Sequence, residues 1–374
     1  MEVQLIWRMV FYVFCGAAFL QLFYHLFFYL RLANYKKHPA PLTVYPPVSV
    51  IICARNEDVN LKKNLPKIFA QDYPNFEVIV VDDNSDDGTT EYLFFLSQKE
   101  PRLKRTKTGG SNPMMAGKKF PLTLGLKAAT NDIVILTDAD CYPASDQWLK
   151  NMVSAYSGNA EIVLGYGGYE KLPGFLNKQI RYETVLTAVN YLSFALGKLP
   201  YMGVGRNLSY HKNLFFESGG FFEHRTIPSG DDDLFINKVA NGRNTRIMIL
   251  PEAFTFSAPK ETREEWREQK TRHMSTARYY KFKHKLLLGL QPVSHILFWA
   301  TSIALISVLF VYWYVVAAAF LLRWILLRYN FSTAMNKLGE RDLKNYIELF
   351  DLLQIFYYFR FAKAALVKTK YRWD

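Results

Sequence analysis

The sequence predicts an α/β domain on a mostly parallel sheet, flanked by transmembrane helices. Three short apolar runs, at residues 48–53, 76–81 and 133–136, alternate with helix-like stretches, and that order at that spacing predicts parallel strands. Hydrophobic residues make up 50% and aromatic residues 16% of the 374 positions, more than a purely soluble chain needs. The surplus gathers at residues 6–30 and 293–322, while the middle has ordinary globular alternation.

The first apolar run is long enough to cross a hydrocarbon core of about 30 Å. Its length, and the lack of a small-x-small site behind it, argue against a cleaved leader. Arg31, Lys36 and Lys37 follow it, whereas only Arg8 and Glu2 precede it, so the positive-inside bias predicts an outside N-terminus and a cytoplasmic central domain. The first strand begins after Pro46 and Pro47. A polar helix from about Asp58 contains Pro66, expected to kink it or mark its start. The second strand ends in an Asp/Asn/Ser/Gly turn leading to a helix from about Thr89, and a further helix at about 121–129 precedes the third strand. "GYGGYE" (165–170) lacks any nucleotide-fingerprint spacing and reads as a strand with close backbone contacts. The second apolar run is followed by Arg323, Arg328, Lys337, Arg341 and Lys344. Their cytoplasmic placement favours a hairpin of two spans over one tilted helix. The last segment mixes an apolar face with Glu348, Asp351, Arg360 and Lys363, which reads as an interfacial amphipathic helix or a third apolar helix. The predicted organisation is an anchor at 1–34, a catalytic domain at 44–285, a span or hairpin at 291–328, and the last helix with a basic tail at 345–374.

The net charge of +13 comes without an aromatic-basic recognition motif, so anionic lipid and an anionic nucleotide are the expected partners and nucleic acid is not. Cys15, Cys53 and Cys141 show no metal spacing and fit a reducing compartment.

Ligands of open parallel sheets bind beyond the C-terminal strand ends. Three such ends carry Arg55-Asn56-Glu57, Asp82-Asp83 and Asp138-x-Asp140. The last pair suits a hard divalent cation shared with substrate phosphates, or else the start of the following helix, for which Asp146 is the better cap. Asp231, Asp232 and Asp233 precede a helical pattern; acids favour a helix N-terminus, but three in a row exceed that need, and one can serve as a general base. Arg267, Lys270, Arg272 and Arg278 form a basic helix face beside Gln269 and His273. Such faces are usually solvated or lie on a membrane, whereas an Arg aimed at a diphosphate neutralises leaving-group charge.

Taken in order, these pieces resemble family 2 of the inverting glycosyltransferases with the GT-A fold, over about residues 48–281. "VIICARNE" looks like that family's nucleotide-binding first strand, which implies donor contacts for Arg55 and Glu57. "VVDDNSDDGT" looks like the second, with Asp83 matching the acid that binds a uridine-type base. "MAGKKFPLTLGLKAA" is similar to the Gly-Lys segment, implying donor contacts for Gly117 and Lys118. "TDAD" matches the metal-binding Asp-x-Asp, with Asp140 the direct ligand of Mg²⁺ or Mn²⁺ and Asp138 beside it. "GVGRNLSY" resembles the acceptor-side segment at Gly205, Arg206 and Asn207, joined by Asp231. "GDDDLF" resembles the motif whose second acid, here Asp232, is the base. "QKTRH" matches Gln-x-x-Arg-Trp at Gln269 and Arg272, with His273 in place of tryptophan.

The resemblance implies a single displacement with inversion. The donor is a UDP- or GDP-linked sugar, and the acceptor a lipid-linked or envelope glycan at a membrane. His273 and the small number of spans argue for non-processive transfer over a processive polysaccharide synthase. An inactive nucleotide-sugar scaffold is the other alternative, and the intact Asp140 and Asp232 speak against it. A transporter would need more spans and intramembrane acids in the first of them.

Overall fold

The computed structural model describes residues 2–36, 44–110, 114–308 and 311–366. Lys37 and the basic tail beyond residue 366 lie outside them. The chain opens with α1 (Glu2–Phe23), which continues through a π-helical stretch (Tyr24–Tyr29) into α2 (Leu30–Ala33). Then follow β1 (Val48–Ala54), α3 (Asp58–Phe69), β2 (Phe76–Asp82), α4 (Thr89–Ser97), β3 (Leu103–Lys107), α5 (Lys119–Ala128) and β4 (Ile133–Leu136). Beyond the acidic tip come β5 (Cys141–Pro143), α6 (Trp148–Ser154), β6 (Ile162–Leu164), β7 (Gly167–Tyr169) and the long α7 (Phe175–Leu196). β8 (Leu208–His211), α8 (Lys212–Glu217), α9 (Asp233–Val239), β9 (Thr245–Ile247), β10 (Thr255–Ser257) and α10 (Arg263–Met274) complete the α/β part. The chain then runs through α11 (Phe282–Ser307), α12 (Trp313–Lys337) and α13 (Ile347–Leu366).

Seven strands form the main sheet in the order β3-β2-β1-β4-β8-β6-β9, and β8 alone runs antiparallel to its neighbours. β1 and β2 are buried at every position because helices cover both sheet faces. Alternation divides them: Val48, Val50 and Ile52 pack with Leu61, Leu65 and Trp148, while Ile51 and Cys53 pack with Leu122, Leu126 and Val185. A second sheet has the order β5-β10-β7, and its β5 follows directly on the turn after β4.

Two local expectations change. Pro66 sits in the last turn of α3, which starts at Asp58, so it neither begins nor interrupts the helix. Asp146 does not cap α6; that helix starts after Gln147, whose N–H is taken by the Ser145 hydroxyl at 3.0 Å.

Among the described residues, three helices are long and apolar enough to cross a membrane: 30 residues at Gln4–Ala33, 26 at Phe282–Ser307 and 25 at Trp313–Lys337. The C-terminal apolar run is thus two helices, and the first begins at Phe282, before position 291. Asp351 is turned inward instead of lying on a solvated face of α13: Arg323 of α12 donates to both of its oxygens at 2.8 and 2.9 Å and to Gln21 of α1 at 3.1 Å. A charge in an apolar bundle requires such a partner.

Candidate active site

The tips of β1, β2 and β4 open into one cleft. β2 delivers Asp83, whose Oδ1 accepts the Thr108 hydroxyl at 2.7 Å and whose backbone N–H bonds Ala54 O at 2.8 Å. Burial pushes the Asp83 carboxyl up, and the Thr108 bond and the nearby Arg55 charge oppose that push. Asn56 holds a positive φ of 56°, which turns the chain sharply after β1. Glu57 follows, with Oε2 accepting from the Asn60 amide at 2.6 Å. Burial raises the Glu57 carboxyl, and Asp140 and Asp138 lie close enough to add to the rise.

β4 ends at Leu136, and the next turn presents Asp138 and Asp140. Lys118, just ahead of α5, forms an ion pair with Asp138. Burial alone would raise the Asp138 carboxyl; Lys118, with Arg206 and Arg272, holds it below the usual carboxylate range. Burial and the charge of Asp138 push Asp140 the other way. Ligand atoms of Asp138, Asp140 and Cys141 lie within 4.8 Å of one another, and the Cys141 thiol stands 3.4 Å from Asp140 Oδ1. Two hard carboxylates, one of them raised by its neighbour, fit a divalent cation, whose charge would relieve that repulsion.

The Gly-Lys segment is docked from behind. Gly117 has φ +66°, and a Cβ there would stand 2.0 Å from Pro228 O, so only glycine fits. The buried Lys119 ammonium donates to Ile227 O and Ser229 O, both at 2.6 Å, which pins the loop leading into the acidic run.

The three consecutive acids have three different surroundings. Asp231 lies near enough to Lys118 to strengthen its hold on the proton. Asp232 caps α9: Oδ1 accepts the Asp233 N–H and Oδ2 the Gly205 N–H, both at 2.7 Å. Burial, then the charges of Asp231 and Asp233, push its carboxyl up to about 8. Asp232 is nevertheless only partly covered. Asp233 is buried and takes the hydroxyls of Thr276 at 2.5 Å and Tyr280 at 2.7 Å, so it braces the core.

On the far wall, Arg206 stacks over Tyr169 at 4.3 Å and donates to Gly168 O and Ser257 Oγ at 3.3 Å. Tyr169 also donates to Gln269 Oε1 at 3.4 Å, which brings α10 to the cleft. Arg272 lies close enough to Asp138 to lower its carboxyl. At His273, loss of solvation among the surrounding residues and then the charges of Lys270, Arg272 and Arg206 hold the ring well below the usual imidazole range.

Most expected residues therefore converge: Arg55 and Asp83 at one end, Glu57, Lys118, Asp138, Asp140 and Arg206 in the middle, and Gly205, Asp231, Asp232, Gln269 and Arg272 opposite. Asn207 does not join them. It is wholly buried, accepts the Trp148 indole N–H at 3.0 Å, and donates to Tyr166 O and Ala253 O at 2.9 and 2.8 Å. Those bonds leave it no group for an acceptor, and they make it the peg joining α6 to both sheets. A Cβ on Gly165 would stand 2.5 Å from it, which explains the close contacts of the Gly-rich segment. The sequence reading missed Thr108, Cys141 and Tyr169; of these only Cys141, directly after the acidic pair, carried a local signal.

Residues 49–222 match the family described as Glycosyl transferase family 2. The chain is similar to the probable glycosyltransferase YdaM of Bacillus subtilis, 25% identical over 75% of this chain and 70% of that protein. It is also similar to the beta-monoglucosyldiacylglycerol synthase of Synechocystis sp., 36% identical over 27% of this chain and 21% of the synthase. Among solved structures, the mannosyltransferase PcManGT of Pyrobaculum calidifontis, in complex with GDP-Man and Mn²⁺, covers 93% of this chain and 99% of its own, with 20% identity and a TM-score of 0.58. With the GT-A sheet and the match of residues 49–222 to the Glycosyl transferase family 2 model, the chain is a glycosyltransferase that carries a family 2-like domain at those residues.

Proposed function

We propose that this glycosyltransferase moves one sugar, with inversion, from a nucleoside-diphosphate donor to a lipid-linked or envelope-glycan acceptor at the cytoplasmic face of a membrane. The observation that carries the reading is that Asp232 accepts the Gly205 N–H next to Arg206, whose charge acts with those of Lys118 and Arg272 on Asp138, while the adjacent Asp231 acts on Lys118. Base, metal-type carboxylates and diphosphate-facing cations thus share one space.

In this reading Arg55 and Asp83 hold the nucleoside. Asp140, with Asp138 beside it, holds Mg²⁺ or Mn²⁺; the Mn²⁺ in the mannosyltransferase complex supports a divalent cation here. When bound, that ion supplies positive charge at the diphosphate. Asp232 takes the acceptor hydroxyl proton as the acceptor oxygen bonds the anomeric carbon. The bond from that carbon to the diphosphate oxygen breaks, and Arg272 faces the negative charge that leaves with it. Gly205 and Arg206 line the acceptor side. The similarity to a beta-monoglucosyldiacylglycerol synthase, whose product is a lipid, and the apolar helices of this chain favour a lipid-borne acceptor.

Detergent-purified protein supplied with Mn²⁺ and a panel of nucleotide sugars tests the reading. One donor should be cleaved and should raise the melting temperature, and cleavage of none would refute it. Reporters inserted at Lys107 and fused after Asp374 should both read cytoplasm; opposite compartments would refute the topology.

A further inference from the structure

α10 carries Gln269, Arg272 and His273 into the cleft, and between them lies a lysine that does something else. Lys270 is only 7% exposed and pairs with Glu183, itself 8% exposed, in the middle of α7. The other Glu183 oxygen accepts the Tyr357 hydroxyl of α13 at 3.1 Å and the Thr187 hydroxyl at 3.3 Å. One turn earlier on α10, buried Trp266 packs against Tyr357 and Phe361 of α13, with ring centroids 6.3 and 6.0 Å apart. α13 is in turn tied to the membrane-spanning helices through Asp351 and Arg323. α7 is held at Arg181 by Glu340 and Asp342, in the segment after α12.

We infer that Lys270, Glu183 and Tyr357 are positioning residues for this reaction: they lock the rotation of α10 against α7 and the membrane-side helix α13 and thereby aim Arg272 at the leaving diphosphate. Successive residues of a helix are rotated by about 100°, so a fixed Lys270 sets the direction of a side chain two positions on. A solvated basic face would need no such partner. A lysine buried with an acid is costly to place, and its geometry is defined only when the remaining donors and acceptors are satisfied, as the Tyr357 and Thr187 bonds do for Glu183. The relay also joins the cleft to the membrane part of the chain through the Lys270–Glu183 ion pair and the Tyr357 hydrogen bond.

The inference rests on the proposed role of Arg272, and a double-mutant cycle separates the two. The full-length protein in detergent, with Mn²⁺, is assayed for cleavage of whichever of UDP-glucose, UDP-N-acetylglucosamine and GDP-mannose it turns over. Lys270→Met should lower kcat by about 10- to 100-fold, the loss expected for a misplacement near 1 Å, with donor KM changed less than about threefold. Added to Arg272→Met, the same change should cost less than about threefold, because a residue acting through Arg272 has nothing left to aim. Lys270→Arg should restore most of the rate. Tyr357→Phe removes one hydroxyl, keeps the ring packing, and should lower kcat about threefold to tenfold, which serves if Lys270→Met fails to fold. Independent losses in the Lys270/Arg272 pair would overturn the relay and leave a purely structural salt bridge. A crippled Arg272→Met beside unaffected Lys270→Met and Tyr357→Phe would do the same. An Arg272→Met protein with unaltered kcat, or no cleavage of any of the three donors, would sink the functional reading and the relay with it.

Discussion

Replacing Asp232 by Asn tests the assignment of the base at its most exposed point, because the structure sets both the size and the pH course of the effect. The carboxyl is pushed up to about 8 by burial and by Asp231 and Asp233. At about pH 7 roughly one free-enzyme molecule in ten is then ionised at this group, so kcat/KM should rise about tenfold from pH 7 to a plateau near 9. Asp232→Asn keeps the shape and one acceptor oxygen but no base, so turnover should fall by about 10² or more and lose that rising limb. Stability should move the opposite way. A group whose folded pKa is raised holds its proton more tightly in the native state. Its contribution is therefore fully present below about pH 4 and is lost as pH rises through about 8. Asn loses one of the two N–H bonds at 2.7 Å, worth about 1 kcal/mol, at every pH, but it never ionises. The melting temperature of Asp232→Asn relative to the unaltered protein should consequently improve from pH 5 to pH 9. The assay is donor cleavage across that range with saturating Mn²⁺, paired with thermal melts of both proteins. A flat pH profile, an Asn variant within tenfold of the original rate, or inactivity of Asp231→Asn alone would refute the assignment.

Asp140→Ala should abolish metal-dependent cleavage and metal-induced thermal stabilisation without lowering the melting temperature in metal-free buffer, since it removes a carboxylate that its neighbours already disfavour; unchanged turnover with Mg²⁺ or Mn²⁺ would count against the metal role. Arg323→Met should destabilise by about 3–5 kcal/mol, because it leaves the buried Asp351 unpaired, whereas Arg323→Met with Asp351→Leu should recover much of the loss; equal damage from the double change would show that the pair itself is not the issue. With donor in large excess, products should be discrete and of low molecular weight, and a dilution-resistant ladder of long chains would overturn the non-processive reading. His273→Trp tests whether the ring at that position controls the outcome.

The sheet's centre was legible because β1, β2 and β4 are continuous apolar runs closed by polar tips, and burial between two helical layers requires that pattern. The Asp138-x-Asp140 pair and the acidic run stood out because each breaks a local rule of composition at a strand or helix end; the Gly-Lys segment stood out only by its resemblance to the family. β6, β9 and β10, at three residues each, are too short to show a period; β7 was read as a strand from its Gly-rich segment. α7 is covered on most sides, so its apolar residues trace no stripe and the helix went unread.

Periodicity, a local property, made the α/β sheet and the flanking apolar helices legible in the sequence, and the resemblance to family 2 supplied the GT-A expectation and the roles expected of the acids and cations. How Asp232 is held, that Asn207 is a peg and not a ligand, and that Lys270 and Asp351 turn inward were decided only in three dimensions. Each depends on a partner far along the chain: Asp232 on Gly205, Asn207 on Trp148, Lys270 on Glu183, Asp351 on Arg323. A polar group's role is set by whether burial supplies it a partner, and burial is a property of the assembled fold.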